Sequence, residues 1–162
     1  MPLAQFNIAR ARWPLDDPRM AGFKDNIHRM NALAARFPGF LWALGRERPE
    51  DAKAVTLGDP AMTWTLSVWE SAEALARFAF DTVHARFFRN REAWFPVLDV
   101  PAIVMWHVAA DHRPDLAEAE ARHARLAAHG PTDHAFGWER FPHLRARRDA
   151  AADPSPEGAP AP

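Results

Sequence analysis

Four polar side chains interrupt apolar, alternating runs at matching phases: Asn7 in LAQFNIAR, Thr65 and Ser67 in MTWTLSVW, and His107 in AIVMWHVAA. If these runs are strands of one sheet in the assigned register, the four side chains converge on one face, and a buried polar cluster there must be hydrogen-bonded or solvated. Such a cluster is either a set of satisfied core groups or a floor that faces a ligand. A second constellation, His84, Phe88, Arg91 and Phe95, is spaced by four, three and four residues and bordered by Trp94, so it shares one helical stripe. That stripe is either a core face with snorkelling polar tips or a pocket wall with an anion-binding and proton-transferring pair. His84 can act as general acid or base near neutral pH, or as a ligand to haem iron.

Other chemistries lack their residues. The chain of 162 residues has no Cys, which excludes disulfides, thiolate metal sites and cysteine nucleophiles. Its eight His residues form no HxxxH, HxH or HExxH spacing, so no dedicated metal site is expected. No GxGxxG, GxxxxGK or GxSxG loop occurs, which sets aside dinucleotide, P-loop and serine-hydrolase chemistry. The formal net charge of −1 offers no broad basic field for nucleic acid. No apolar run is long enough to span a membrane and MPLAQFNIAR does not resemble a leader, so a soluble, cytoplasmic protein is expected. With 7 Trp, 11 Phe and no Tyr, the aromatic residues supply apolar walls and indole donors but no phenols.

The elements that must position these residues follow from period and punctuation. A strand is expected over Leu3–Ala9, and Asp17-Pro18 then starts a helix. In that helix Met20, Phe23, Ile27, Met30, Ala34 and Phe37 form one apolar stripe, and Pro38-Gly39 stops it. Strands are predicted over Phe40–Leu44 and Met62–Trp69, separated by a loop over 46–60 with a short strand near Val55. Ser71 caps a helix through Phe78, Asp81-Thr82 restarts it, and a helix over His84–Phe95 ends at Pro96. A fourth strand over Ala102–Ala109 precedes a last helix between Pro114 and Gly130-Pro131. His123 shares the apolar stripe of that helix and reads as a packed core residue. Residues 1–144 are expected to form the folded domain. Residues 145–162, with nothing apolar larger than Ala, are expected to be a disordered tail.

The order strand, helix, strand, strand, helix, strand predicts an α+β, ferredoxin-like split βαβ fold with a four-stranded antiparallel sheet, helices on one face, and an extra C-terminal helix. The other face, expected to carry Phe40 or Leu41, Trp42 or Ala43, Trp69 and Ile103, needs a cover, and a homodimer would supply it. The segments LAQFNIAR, DDPRMAGFKDNIHRMNALAARFPGFLW, SVWESAEALARFAF, VHARFFRNREAWF and HRPDLAEAEARHARLAAHGPTDHAF together resemble an uncharacterised bacterial family of dimeric α/β-barrel proteins. That family is similar to the antibiotic-biosynthesis and haem-degrading monooxygenases. The resemblance implies a pocket between sheet and helices in each subunit and gives Asn7 the place of an amide that orients substrate or oxygen. The iron-binding His of haem-degrading relatives lies slightly further along than His84, so the match there is not strict.

The combined expectation is a small enzyme resembling cofactor-independent monooxygenases and acting on an apolar or aromatic organic substrate. Asn7, His84 and His107 are the catalytic candidates, and Trp69, Phe88, Arg91 and Trp94 are the substrate-binding ones. No cofactor is required in this reading. The competing classes are a haem- or hydrophobic-ligand-binding protein without turnover and a dimeric structural module with a filled barrel.

Overall fold

The computed structural model describes residues 1–45 and 59–152. The strand expected near Val55 lies outside the described residues. Four strands, β1 (Leu3–Arg10), β2 (Phe40–Ala43), β3 (Met62–Trp69) and β4 (Ile103–His107), form one antiparallel sheet in the order β2-β3-β1-β4. The chain is therefore an α+β protein. The central pairing places Leu3 opposite Trp69, Gln5 opposite Ser67 and Asn7 opposite Thr65. On its other side β1 sets Leu3 opposite His107, Gln5 opposite Met105 and Asn7 opposite Ile103.

Alternation then sorts the side chains between two cores. Leu3, Trp69 and Met105 pack with the helix α3 (Ala72–Asp81), with Ala85 of α4 (His84–Trp94) and with Ala151 of α6 (Arg145–Ala152). Ala4, Phe6, Ile8, Leu66, Val68, Val104 and Trp106 point the other way and pack against Ala119 and Leu126 of α5 (Leu116–His129). This corrects two expectations. Phe40, Trp69 and Ile103 belong to the first core, not to an uncovered face. The second face is packed by the chain's own α5, so helices lie on both sides of the sheet.

The helix after Asp17 is broken. Asp17 accepts from the backbone N–H of Arg19 and caps a 3-10 turn over Pro18–Met20, which runs into the short α1 (Ala21–Lys24); α2 begins only at Ile27 and ends at Arg36. Asn26 bonds its side-chain amide to the Gly22 carbonyl at 3.0 Å, a local alternative to helix continuation. The expected single stripe is thereby split: Met20 is fully buried, whereas α2 has no fully buried residue and Phe23 and Ile27 are half-buried.

Ser71 caps α3 by accepting from the Ala74 N–H at 3.3 Å. The hydroxyl of Thr82 accepts from the His84 N–H at 3.1 Å and so starts α4. Asp115, one residue after the expected Pro114, caps α5, and Gly130 at φ 71° ends it. Phe136 exchanges two backbone hydrogen bonds with Met105, which extends the sheet edge beyond β4.

The expected tail also needs correction, because residues 145–152 are helical. Arg and Ala are strong helix formers, Ala151 and the preceding Leu144 are buried, and Arg147 pairs with Asp81 of α3. Residues 153–162 lie outside the described residues.

Candidate functional site

The first-core face of the central strands carries a polar floor. Gln5, 6% exposed, donates from Nε2 to the Ser67 hydroxyl at 2.9 Å and to the Thr65 hydroxyl at 3.2 Å. Ser67 also accepts the indole N–H of Trp69 at 2.9 Å. These bonds tie β1 to β3 through side chains as well as through the ladder. Asn7 is the next residue along that face and is half-buried. Its carboxamide has no hydrogen-bond partner among the described residues. No buried side-chain polar atom is unpartnered there, so the Asn7 amide is open to solvent. Thr65, directly opposite, is exposed although its strand is central in the sheet.

His84 is half-buried at the start of α4. Its Nδ1–H donates to the Ala79 carbonyl at 3.0 Å, and its ring lies 5.0 Å from that of Phe78. Burial pushes the imidazole below its ordinary pKa, and the bond to the Ala79 carbonyl opposes that shift only in part. The ring is therefore neutral at pH 7, with Nε2 as an acceptor lacking a partner among the described residues. Phe78 in turn stacks on Trp69 at 5.2 Å, so two rings link His84 to the Ser67 hydroxyl.

The other expected residues are spread along the same face and its flanking helix. Trp69 is 1% exposed and held by Phe37, Phe40 and Phe78, so it supports the floor from within and is not an open substrate wall. Phe88 packs edge-on to Phe80. Arg91 folds back on its own helix: Nη1 donates to the Phe88 carbonyl at 2.6 Å, and the guanidinium carbon sits 4.3 Å over the Phe88 ring. Trp94 lies at the end of α4 between Phe23 and Phe87, at 6.1 and 6.0 Å. His107 shares the Asn7 face by register but is exposed at the end of β4, with its ring 5.5 Å from Phe136. Asn7, His84 and His107 thus share one side of the sheet without touching one another.

Gln5 is the site residue that the polar pattern alone does not single out. Its phase is that of Asn7, but only coordinates distinguish the amide that is engaged from the one that is open. On the opposite face, a wide-mouthed groove of about 630 Å³ is lined by Phe6, Ile8, Asp59, Met62, Glu120 and His123. His123 is a packed residue there, donating from Nε2 to the Pro101 carbonyl at 2.7 Å, and Asp59 is paired with Arg10 at 3.2 Å. Among the described residues no group of three or more His, Asp or Glu is placed to hold a metal ion, and no helix is long and apolar enough to cross a membrane.

The fold is similar to the crystal structure of PA3566 from Pseudomonas aeruginosa, with 19% identity and a TM-score of 0.46 over 67% of this chain and 95% of that one. It is also similar to the crystal structure of NE2512, a protein of unknown function from Nitrosomonas europaea, with 16% identity and a TM-score of 0.47 over 70% of this chain and 95% of that one. Neither likeness bears on activity. No functionally curated protein matches the chain. A family match covers residues 2–152, and the chain belongs to that family, DUF3291, a domain of unknown function.

Proposed function

We propose that the chain is a small-molecule enzyme that takes an apolar or aromatic substrate over the Asn7 face and resembles cofactor-independent monooxygenases in its chemistry. One observation carries this reading: the Asn7 amide is half-buried and open while its neighbours Gln5, Ser67 and Trp69 are bonded to one another. An amide that solvent reaches on a central strand keeps a donor and an acceptor that a bound molecule can take. Asn7 would donate to a substrate oxygen, and the bond would strengthen as that oxygen gains negative charge. His84, neutral and with Nε2 open, would accept one of the two protons of an acidic CH2 group conjugated with that oxygen. The resulting carbanion adds to O₂ and, once protonated, forms a hydroperoxide. Loss of water leaves a carbonyl, with one oxygen atom in the product and the other in water. The substrate supplies the electrons. Because His84 and Asn7 do not touch, the substrate spans the gap, which suits a molecule of more than one ring.

The same reading takes the sheet order and the helical crossovers as a ferredoxin-like unit. It assigns a second copy of the chain to the part of the α5 face where Trp42, Leu44, Met62 and Trp64 remain half-buried. A two-chain mass in solution supports the pairing, and a one-chain mass at micromolar concentration removes it.

Oxygen uptake with an anthrone as probe tests the reaction. Uptake should fall by about 100-fold in Asn7→Ala, the scale for losing one oxyanion donor. Uptake no faster than without protein, or indifferent to Asn7→Ala, rejects it. A haem-binding role is the second reading, favoured by the His84 tautomer, in which Nδ1–H is held by a carbonyl and Nε2 is left as a lone pair. A Soret shift on titration with haem, lost in His84→Ala, would select it.

A further inference from the structure

Gln5 is nearly enclosed, yet only one end of its amide is used. Nε2 donates to both Thr65 and Ser67, while Oε1 has no partner among the described residues. No unpartnered side-chain polar atom is sealed from solvent there, so Oε1 is an atom that solvent reaches. Thr65 is the complement. Its hydroxyl oxygen accepts from Gln5, which leaves its own hydrogen to be donated outward, and the residue is exposed. An acceptor and a donor therefore stand side by side on the floor, on residues joined by the 3.2 Å hydrogen bond from Gln5 Nε2 to the Thr65 hydroxyl oxygen. Their neighbours on this face carry no charge: Leu3, Asn7 and Ala9 on β1, and Thr63, Ser67 and Trp69 on β3.

From this arrangement we infer that Gln5 is the specificity-determining residue of the floor, and that the pair selects an uncharged molecule with a hydroxyl and a carbonyl on one edge, too far apart to bond each other. A meta-acylphenol has that pattern, whereas in an ortho-acylphenol the hydroxyl already donates to the neighbouring carbonyl of the same molecule. The ligand hydroxyl donates to Gln5 Oε1, and the ligand carbonyl accepts from the Thr65 hydroxyl. This rests on the reading of the Asn7 face as a substrate site. A site built to bond a hydroxyl discriminates strongly against an analogue without one, because its own carbonyl, cut off from solvent by the ligand, is then left unpaired. Trp69 contributes indirectly, since its N–H fixes Ser67, and Ser67 fixes the Gln5 amide.

The test is a calorimetric titration of the full chain with 3′-hydroxyacetophenone and with its methyl ether. The hydroxy compound should bind at least about tenfold more tightly, the scale of one buried hydrogen bond. Gln5→Met keeps the length and removes the acceptor, so it should bring the ratio of the two affinities to about one while still binding both. Asn7→Ala should weaken both probes and leave their ratio unchanged. Should Gln5→Met fail to fold, Thr65→Val on the exposed rim serves instead; it should weaken the hydroxy compound and its ether alike, because both keep the carbonyl that Thr65 meets. Equal wild-type affinity for the two probes, or a ratio that survives Gln5→Met, overturns the role of Gln5 while leaving the Asn7 site standing. A Thr65→Val variant that binds both probes as wild type does overturns the pairing in the same way. Failure of both probes to bind wild-type protein overturns this inference and the reading of the face together.

Discussion

Trp69 donates its indole N–H to the hydroxyl of Ser67, two residues back on the same strand, at 2.9 Å. Both side chains point to the same face, and both are buried. The bond lets a large ring lie flat on Phe78 while its one polar atom is satisfied, and it presents Ser67 to Gln5 across the strand pair. The floor under Asn7 is therefore set by packing and hydrogen bonding together.

Ser67→Ala should destabilise the protein by about 1–3 kcal/mol, the cost of leaving buried donors unpaired. Two donors lose their acceptor at once, the Trp69 indole and the Gln5 amide, although Gln5 keeps Thr65. A urea melt checks this: the midpoint should fall with the slope unchanged. A midpoint equal to wild type would mean that solvent replaces Ser67 without cost.

His84 makes stability depend on pH in a fixed direction. Its folded-state pKa lies below the ordinary 6.5, so the unfolded chain takes up the proton more readily. The contribution of neutral His84 is fully present above about pH 6.5 and is lost as pH falls below it towards the folded pKa. His84→Gln should flatten that part of the profile, and the difference between the two proteins isolates this residue from His143, which faces Glu73 at 3.0 Å. Parallel profiles between pH 7 and 5 would show that the imidazole is not protected from protonation.

Much of this arrangement is legible in the sequence, and the misses have physical causes. The strict alternation of MTWTLSVW and LAQFNIAR gives each side chain its face, and register then brings Asn7 beside Thr65. Alternation does not say which helix returns to which face. That depends on the turn between His107 and Leu116; the pattern alone puts every helix on one face and leaves Trp69 and Ile103 for a second subunit to cover, whereas α3 packs on their face and α5 on the face of Phe6 and Trp106. Helix α6 is not legible in the sequence for a different reason: it buries Ala151 and anchors through Arg147 and Asp81, with no large apolar residue to mark it. The open Asn7 amide and the engaged Gln5 amide have the same pattern in sequence. Only their bonds differ.

Removal of residues 145–162 should lower the melting temperature. Helix α6 packs on both α3 and α4, buries Ala151 and carries the Arg147 pairing with Asp81. At this chain length each kcal/mol lost shifts the midpoint by about 2–4 °C. A truncated protein that melts with the full chain would show that α6 contributes nothing to the first core.

Gly39 separates two costs that usually arrive together. It holds φ 90°, where an L side chain is strained, and a Cβ built on it would lie 2.5 Å from the Cβ of Ala74 on α3. The position is the joint at which the chain leaves α2 for β2, and the Gly39 carbonyl accepts from the Glu70 N–H at 2.8 Å, so it cannot drift away from α3 cheaply. Gly39→Ala should cost about 1–2 kcal/mol for the backbone conformation and about 1–3 kcal/mol more for the overlap with Ala74. Ala74→Gly in the same chain removes the overlap and leaves the strain. By itself it costs about 1 kcal/mol of helix propensity. In a double-mutant cycle the two changes should therefore couple favourably, with the double variant more stable than the sum of the single losses predicts. Additive losses would mean that α3 shifts freely away from the joint, and the rigid seat of Trp69 and Phe78 above the polar floor would then have to be abandoned.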